Sequence, residues 1–556
     1  MREKLWWYTE ESQAMLERGY LLPNQTVEEK IKLISKHAAS YYKDVPDLKD
    51  KFAEMIERGW CSLSSPIWAN FGETDRGYPI SCFSSFVADD LDKIYSTLHE
   101  VAMMTKLGGG TSGYFGKLRA KGTPIKGGGK SSGMMSFLRL YDATTEEVSQ
   151  SGVRRGAFAA YLDIEHPEIE EFLRLKDKGH PMQTINTAVN ISDEWMKAME
   201  EGDKEKRDIW AKVLKSRREK GIPYLFFKDT ANKNKPQIYK DTNSTIYSSN
   251  LCNEIYLPTS ESESFVCCLM SMNLALYEEW KDTDAVELAV MFLDAVMSDF
   301  IKKTKDVPYM KRAHDFAVRH RALGLGVLGW HTLLQQRMIP FESFEAQQLN
   351  TSIFSNIKKK AYSKSVELGE AYGYAPIFDG VETLDTKRRN TTLLALAPTT
   401  SSSSILGQVS PSIEPYASNY FVVGLAKGSF TRRSPELEKL LESKGQNTDE
   451  VWRSIIQNQG SVQHLSFLDE REKDVFKTFQ EISPMMVIQQ AAARQPFIDQ
   501  GQSINLKIPS AMSIKDINKI HMEAWKLGLK GLYYQRGTSV AKEAVLQMMD
   551  CKACGA

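Results

Sequence analysis

The sequence has no excess charge of either sign, because 71 Lys and Arg residues balance 71 Asp and Glu residues. No global field therefore favours nucleic acid or a membrane surface, and any phosphate group must be held by local groups. The sequence also has no apolar run of membrane-spanning length, and its N-terminus, MREKLWWYTEESQ, is charged where a signal peptide is apolar. We expect a cytoplasmic protein that binds neither nucleic acid nor membrane.

Cysteine is scarce, with seven residues scattered over 556. An odd and sparse set differs from the dense, even set of a secreted disulfide scaffold. In a reducing compartment, cysteines at special places are more often chemical than structural. The seven are Cys61, Cys82, Cys252, Cys267, Cys268, Cys551 and Cys554.

No repeat and no long low-complexity linker divides the chain. Strand-like segments instead precede helix-like ones, as AFAAYLDIE precedes HPEIEEFLRLKDKG, where Pro167 fits a first helical position and Gly179 a C-terminal stop. This alternation predicts an α/β sheet or barrel. The pattern TVEEKIKLISKHAASYY predicts helix within residues 1–60, and the last twenty residues resemble a tail.

Two glycine patterns, at 108–113 and 324–329, fit G-x-G-x-x-G. A dinucleotide site needs a strand before the first glycine and a helix after the last. The first pattern follows a helix-like segment and the second follows the charged VRHRAL. Neither pattern is therefore preceded by the required strand, which argues against an NAD-linked dehydrogenase.

The segment SSNLCNEIYLPTS (248–260) puts Asn250, Cys252 and Glu254 at every second position. In an extended segment such residues project to one side, so we expect them to share a pocket. A thiol beside a carboxylate is a poor thiolate nucleophile, because the negative neighbour raises the thiol pKa. Hydrogen-atom chemistry by the thiol, beside a carboxylate base, fits better; the alternative is a core cysteine with polar neighbours.

The chain ends in CKACGA, which contains a Cys-x-x-Cys pair, Cys551 and Cys554. With no second pair and no His pair at ligand spacing, zinc is disfavoured. Two thiols on a mobile tail are suited to thiol–disulfide exchange.

Several segments, in matching order over residues 60–556, resemble the catalytic (α) subunit of ribonucleotide reductase. They are SNLCNEIYLPT, YPISCFSSF, GKLRAKGTPIKGG, SQSGVRRGA, CLMSMNL, APTTSSSSILG and KGLYYQRG, with the terminal cysteine pair. The resemblance implies a ten-stranded α/β barrel over residues 61–536, built from two five-stranded parallel halves set antiparallel. The loop 248–256 would enter its centre, a helical region (1–60) would precede it, and a redox tail (537–556) would follow.

The resemblance also implies roles for these residues in reducing ribonucleoside diphosphates. Cys252 would become a thiyl radical that abstracts the ribose 3′-hydrogen, Glu254 would deprotonate the 3′-hydroxyl, and Asn250 would bind the sugar. Cys82 would form a disulfide with Cys267 or Cys268; counting back from MNL favours Cys267, and the neighbouring cysteine leaves both open. Cys551 and Cys554 would reduce that disulfide, and thioredoxin or glutaredoxin would restore them, whereas Cys61 is expected to be structural.

The adjacent Tyr533 and Tyr534 resemble the radical relay of class I enzymes, in which a separate β subunit carries the metallocofactor. This chain would then bind no metal. A cobalamin-dependent class II reductase of the same fold and a non-catalytic nucleotide-binding regulator are the alternatives.

Nucleotide contacts follow from the same resemblance. The substrate diphosphate would be held by Ser65, Thr399, Thr400, Ser401 and Ser402, although Thr400 stands where family members often carry an acidic residue or glycine. A dNTP or ATP specificity effector would be bound by Asp89, Arg119 and Arg154 or Arg155, in a homodimer. The family's frequent N-terminal ATP-cone is not recognised in this sequence, so no activity site of that type is expected.

Overall fold

The N-terminal region of this computed structural model is helical, and the structure describes residues 3–80, 82–148, 156–381, 387–407, 409–425, 428–509 and 511–537. The Thr26 hydroxyl and the Glu29 carboxylate cap the second helix reciprocally, as the Thr-x-x-Glu pattern favours. No helix in these ranges is long and apolar enough to cross a membrane. The first elements are α1 (Glu10–Leu16), α2 (Val27–Ala39), α3 (Leu48–Glu57), β1 (Cys61–Leu63) and α4 (Ser65–Asn70).

Five parallel strands form the first half of a barrel, each paired with the next along the chain. Helices connect them on the outside, as parallel pairing requires. The elements are β2 (Cys82–Phe86), α5 (Leu91–Lys106), β3 (Gly110–Tyr114), α6 (Met134–Glu147), β4 (Phe158–Asp163), α7 (Ile169–Leu173), β5 (Asn186–Ile191), α8 (Asp193–Glu201), α9 (Lys204–Lys220), β6 (Tyr224–Phe227), α10 (Lys228–Lys233) and α11 (Gln237–Asp241).

One helix is shorter than the sequence predicted. The helix expected between Pro167 and Gly179 spans only Ile169–Leu173. Beyond Leu173 the backbone N–H groups bond three residues back instead of four, as from Asp177 to Arg174 at 2.8 Å, so the chain continues as turns.

The remaining elements supply the second half of the barrel and the helices outside it. Most of α13 is buried, and it packs against β7 and β8. The elements are β7 (Phe265–Asn273), α12 (Tyr277–Trp280), α13 (Ala285–Thr304), α14 (Lys311–His320), β8 (Leu323–Leu328), α15 (Trp330–Gln336), α16 (Phe344–Tyr372), α17 (Thr400–Ile405), β9 (Tyr420–Leu425), β10 (Gly428–Arg433), α18 (Pro435–Ser443), α19 (Asp449–Gln457), α20 (Glu470–Val475), α21 (Pro484–Arg494), β11 (Leu506–Ile508), α22 (Ile514–Lys526), β12 (Gly531–Leu532) and β13 (Gln535–Gly537).

Hydrogen bonds close the second half into a ring with the first. β7 and β8 are parallel. Two short segments add further parallel strands beside β8, through β-bridges that pair Leu325 with Leu394 and Leu396 with Gln502. The Tyr533 N–H then donates to the Ile504 carbonyl at 2.9 Å, next to β12. Because β7 is antiparallel to β2 and β12 is antiparallel to β6, ten strands form two antiparallel halves. The predicted barrel is confirmed, although two of its strands are present only as short bridged segments.

The Tyr256 ring packs where the two halves meet beside β6 and β12. It stacks on Phe226 with ring centroids 5.3 Å apart and an interplanar angle of 7°. A Cβ atom at Gly501 would overlap this ring, and a Cβ atom at Gly531 would overlap the Tyr256 hydroxyl. Glycine is therefore required at both positions by close approach.

We predict that Gly501→Ala lowers the free energy of unfolding by about 2 kcal/mol, because the added methyl group overpacks a buried site. Gly537→Ala is the control, since a Cβ atom there meets nothing within 4 Å. Urea denaturation of both variants measures the difference, and equal midpoints would contradict this account of the junction.

Candidate active site

The segment that carries Cys252 runs through the inside of the barrel and is held there by side chains of the first half. Successive strands β2, β3, β4 and β5 each contribute at least one hydrogen bond to it. These bonds join Ser84 to Ser248 (2.9 Å), Ser112 to the Ser249 carbonyl (2.7 Å), Tyr161 to the Asn250 carbonyl (2.8 Å) and Asn190 to the Tyr247 carbonyl (2.8 Å).

Asn250 and Glu254, on either side of Cys252, contact each other because the chain turns, rather than because it is extended. Asn253 has a left-handed φ of 64°, and its N–H donates to the Asn250 carbonyl at 3.2 Å. The Asn250 Nδ2 donates to Glu254 Oε1 at 3.0 Å, and Asn250 Oδ1 accepts the N–H groups of Glu254 and Ile255 at 3.1 and 3.2 Å. The amide and the carboxylate are thus close together, as predicted. A backbone turn, rather than an extended strand, brings them together.

Glu254 is fully buried, and loss of solvation raises the pKa of its carboxyl to about 7. Hydrogen bonds from Asn250 and Ser503 act in the opposite direction, because they stabilise the charged form. A carboxyl with a pKa near neutrality is suited to accept a proton during turnover and to release it afterwards.

Cys82 and Cys267 are opposite each other on the antiparallel strands β2 and β7. Directly opposite residues have Cβ atoms about 5 Å apart, so a small shift brings two thiols to disulfide distance. The Asn250 Nδ2 lies 3.4 Å from Cys82 Sγ, and Gln500 Nε2 lies 3.5 Å from Cys267 Sγ. Burial raises the pKa of the Cys267 thiol well above its usual range, so the thiol is neutral.

Cys268 projects away from this pair, because adjacent residues on a strand face opposite sides. Its Sγ lies 3.4 Å from the Leu293 carbonyl on α13, outside the barrel. Of the two alternatives for a partner of Cys82, the geometry therefore favours Cys267.

Tyr533 and Tyr534 pack against each other with ring centroids 4.4 Å apart. Tyr224 contacts both, at 4.7 and 5.0 Å. Tyr533 is buried in the same cluster as Cys252, whereas Tyr534 is partly exposed. The three rings form a continuous aromatic contact from the barrel interior towards its surface.

The residues proposed to bind the substrate diphosphate come together at the starts of two short helices. Ser65 begins α4, and the turn at Thr399, with a left-handed φ of 54°, precedes α17. The Ser62 hydroxyl on β1 donates to the Ser402 carbonyl at 3.1 Å, which holds the two starts side by side. Within the described ranges, the buried Ser65 hydroxyl has no hydrogen-bond partner. Thr400, Ser401 and Ser402 form the first turn of α17.

Two of the predicted effector-binding residues contact each other. Arg119 Nε lies 2.7 Å from Asp89 Oδ2, and both side chains are about one-third exposed. Arg154, Cys551 and Cys554 lie outside the described residues.

Three residues that the sequence analysis did not single out contact the site. Ser503 Oγ donates to the Cys252 carbonyl (2.5 Å) and lies 3.1 Å from Glu254 Oε2. Gln500 accepts the Tyr256 N–H at 3.1 Å besides contacting Cys267, and Tyr161 holds Asn250. The sequence feature that could have indicated Ser503 and Gln500 is the polar run QGQS (500–503), which lies in a buried segment.

The cysteine-bearing segment thus lies inside a barrel of two antiparallel five-stranded halves. The family model described as "Ribonucleotide reductase, barrel domain" matches residues 80–206, 203–388 and 385–535. The chain therefore belongs to the ribonucleotide reductase family, and the predicted family and fold are confirmed. Among the described residues, no cluster of three or more His, Cys, Asp or Glu side chains could hold a metal ion.

Named relatives cover nearly the whole chain. It is 33% identical to the ribonucleoside-diphosphate reductase large subunit of Invertebrate iridescent virus 3, covering 90% of both chains. It is also 33% identical to the protein of that name from Caenorhabditis elegans, covering 97% of this chain and 77% of the relative. The structure of the Actinobacillus ureae class Id ribonucleotide reductase alpha subunit matches with a TM-score of 0.91 and 50% identity, covering 97% of this chain and 98% of that one.

We predict that Glu254→Gln stabilises the fold at high pH. The raised pKa of Glu254 means that its favourable contribution is present at low pH and is lost as pH rises through about 7. The variant should therefore gain about 3 kcal/mol over the parent at pH 8, and much less at pH 5. Urea denaturation at both pH values, with the exposed Glu261→Gln as control, measures this; an equal gain at both would contradict it.

Proposed function

We propose that this chain is the catalytic α subunit of a class I ribonucleotide reductase that converts ribonucleoside diphosphates to 2′-deoxyribonucleoside diphosphates. The observation that carries the proposal is that Asn250, two residues before Cys252, contacts both Glu254 and Cys82, and that Cys82 lies opposite Cys267 on the neighbouring strand. The printed names of the relatives, which are reductase large or alpha subunits, support it.

In the proposed reaction, Cys252 as a thiyl radical removes the 3′-hydrogen atom of the ribose. Glu254 accepts the 3′-hydroxyl proton, for which a pKa near 7 is well matched. The 2′-hydroxyl leaves as water, and the two electrons and two protons required come from Cys82 and Cys267 as they form a disulfide. Cys252 then returns the hydrogen atom to the 3′-carbon and Glu254 returns the proton to the 3′-oxygen, so the thiyl radical and the carboxylate are both regenerated.

Radical delivery is proposed to run through Tyr534 and Tyr533 to Cys252. The stacked rings, one partly exposed and one in the same cluster as Cys252, support this direction. The oxidising equivalent would come from a separate β subunit that carries the metallocofactor, as the class I alpha neighbour suggests. The tyrosine contact favours class I over the cobalamin-dependent alternative.

We also propose how the disulfide is reduced again and how the enzyme is regulated. Cys551 and Cys554 would reduce the Cys82–Cys267 disulfide and would in turn be reduced by thioredoxin or glutaredoxin. A dNTP or ATP effector would replace the mutual ion pair of Asp89 and Arg119 with contacts to nucleotide, together with Arg154.

A homodimer is proposed at α5, which begins two residues after Asp89. Leu91 and Tyr95 are 60% and 52% exposed and lie four residues apart on one helical face. Exposed apolar side chains at this spacing are suited to pack against a second copy of the chain. The protein is proposed to act in the cytoplasm.

We predict that CDP is reduced only when a β subunit is added. Cys252→Ala and Tyr533→Phe should each lower turnover by about a thousandfold or more, because each removes the only radical carrier at its step. Cys61→Ala, which removes a buried cysteine on β1, should retain parental turnover. Turnover without β would favour the cobalamin class, and nucleotide binding with no turnover by any form would favour a non-catalytic regulator.

We predict that Cys267 and Cys268 differ in their effect on electron supply. Cys267→Ser should stop turnover with dithiothreitol as reductant, because the disulfide with Cys82 cannot form. Cys268→Ser should retain most of it, since its thiol faces α13. In a Cys551→Ser, Cys554→Ser chain, which cannot pass the disulfide to the tail, mass spectrometry after one turnover without added reductant should find the Cys82–Cys267 disulfide; a Cys82–Cys268 disulfide would contradict the assignment.

A further inference from the structure

Ser503 occupies a position between the two groups on which the proposed chemistry depends. It lies on the bridged segment 501–503, where its N–H donates to the Leu396 carbonyl at 2.9 Å. Its hydroxyl is buried, 2.5 Å from the Cys252 carbonyl oxygen and 3.1 Å from Glu254 Oε2. A single side chain of the second half of the barrel thus contacts both the radical residue and the proposed base.

A serine hydroxyl has one hydrogen to donate, so it cannot satisfy both acceptors fully at once. An ionised carboxylate is the stronger acceptor, and the hydrogen then points to Glu254 Oε2. Once Glu254 is protonated, its own O–H can donate to Ser503 Oγ, and the serine hydrogen turns to the Cys252 carbonyl. The protonation state of the carboxyl therefore selects the partner of the hydroxyl.

We propose that Ser503 is a positioning residue whose hydroxyl turns from the Glu254 carboxylate to the Cys252 carbonyl when Glu254 takes up a proton. The backbone at Cys252 is then tied to the barrel while Glu254 is neutral and is released while Glu254 is ionised. Ser503 gains and loses no proton in the cycle. The inference rests on the proposed role of Glu254 as the base.

The ionisable groups near Glu254 come from several elements. Asn250 donates to its other oxygen, Oε1. Electrostatic coupling links Glu254 with Tyr161 of β4, Tyr256 of its own segment and Cys267 of β7, whereas Lys530 lies beyond Tyr256 with its Nζ 5.8 Å from that ring. The tyrosines and the cysteine have strongly raised pKa values and stay neutral near pH 7, so the Ser503 hydrogen bond is the main adjustable contribution on the Oε2 side.

A serine that merely anchors the loop would affect turnover equally at every pH. A serine that stabilises the ionised carboxylate would affect turnover mainly at low pH, where the carboxyl group is partly protonated. A hydrogen bond to a charged group contributes enough to move the titration of its partner by about one pH unit. Ser503→Ala should therefore shift the acid limb of the kcat profile upward by about one unit.

The first measurement is kcat for CDP reduction by the complete α and β enzyme between pH 5.5 and 8.5. Ser503→Ala should lose about tenfold more activity at the lowest pH than at the highest, and Ser503→Thr, which keeps the hydroxyl, should recover the parental profile. The control is Ser365→Ala, which removes a buried hydroxyl bonded to Asn390 at 2.9 Å outside the site. A uniform loss across the range, or no loss, overturns the inference.

The second measurement needs no turnover. Difference infrared spectroscopy of the α chain follows the carboxyl C=O band of protonated Glu254, which Glu254→Gln identifies by removing it. In Ser503→Ala this band should persist to a pH about one unit higher than in the parent. An unchanged titration overturns the inference, whereas a shifted titration with no CDP reduction by any form overturns the proposed function alone.

Discussion

The burial of one carboxyl group, Glu254, beside a thiol-bearing turn is the constraint on which the rest of the site depends. An ionised carboxylate without solvent is costly, so the fold must supply hydrogen bonds or let the group hold a proton. It does both: Asn250 and Ser503 contact the two oxygens, and the pKa still rises to about 7. The same Asn250 closes the turn that contains Cys252, so one side chain holds both the carboxyl group and the backbone of the cysteine-bearing turn.

The barrel makes this arrangement possible because it surrounds the turn with strands from two halves. Side chains of β2 to β5 hold one side of the segment, while Gln500 and Ser503 of the second half hold the other. The antiparallel contact between β2 and β7 then places Cys82 opposite Cys267. A slip of one residue in that register would turn Cys267 towards α13 and Cys268 inward, so the strand register decides which of the two cysteines faces Cys82.

Much of the local structure could be predicted from the sequence, because its causes are local. The cap of α2 by Thr26 and Glu29, the strand β5 and the N-cap of α8 by Ser192 follow from short patterns. The length of the helix after β4 was overestimated. Pro167 and Gly179 indicate where a helix could begin and end, but they do not show that the helix stops at Leu173 and the chain continues as turns. Ser503 and Gln500 were missed, because their partners lie more than 200 residues away along the chain.

The sequence by itself determined the residue types of the site and the order of its segments, and the resemblance of several separate segments identified the family. Only the tertiary structure decided how these groups meet. The spacing suggested an extended segment with a shared face, yet a left-handed residue at Asn253 folds it into a turn. Cys267 is distinguished from its neighbour by the side of β7 that it faces, and Glu254 acquires its raised pKa from burial. These properties arise from long-range packing, which no local pattern encodes.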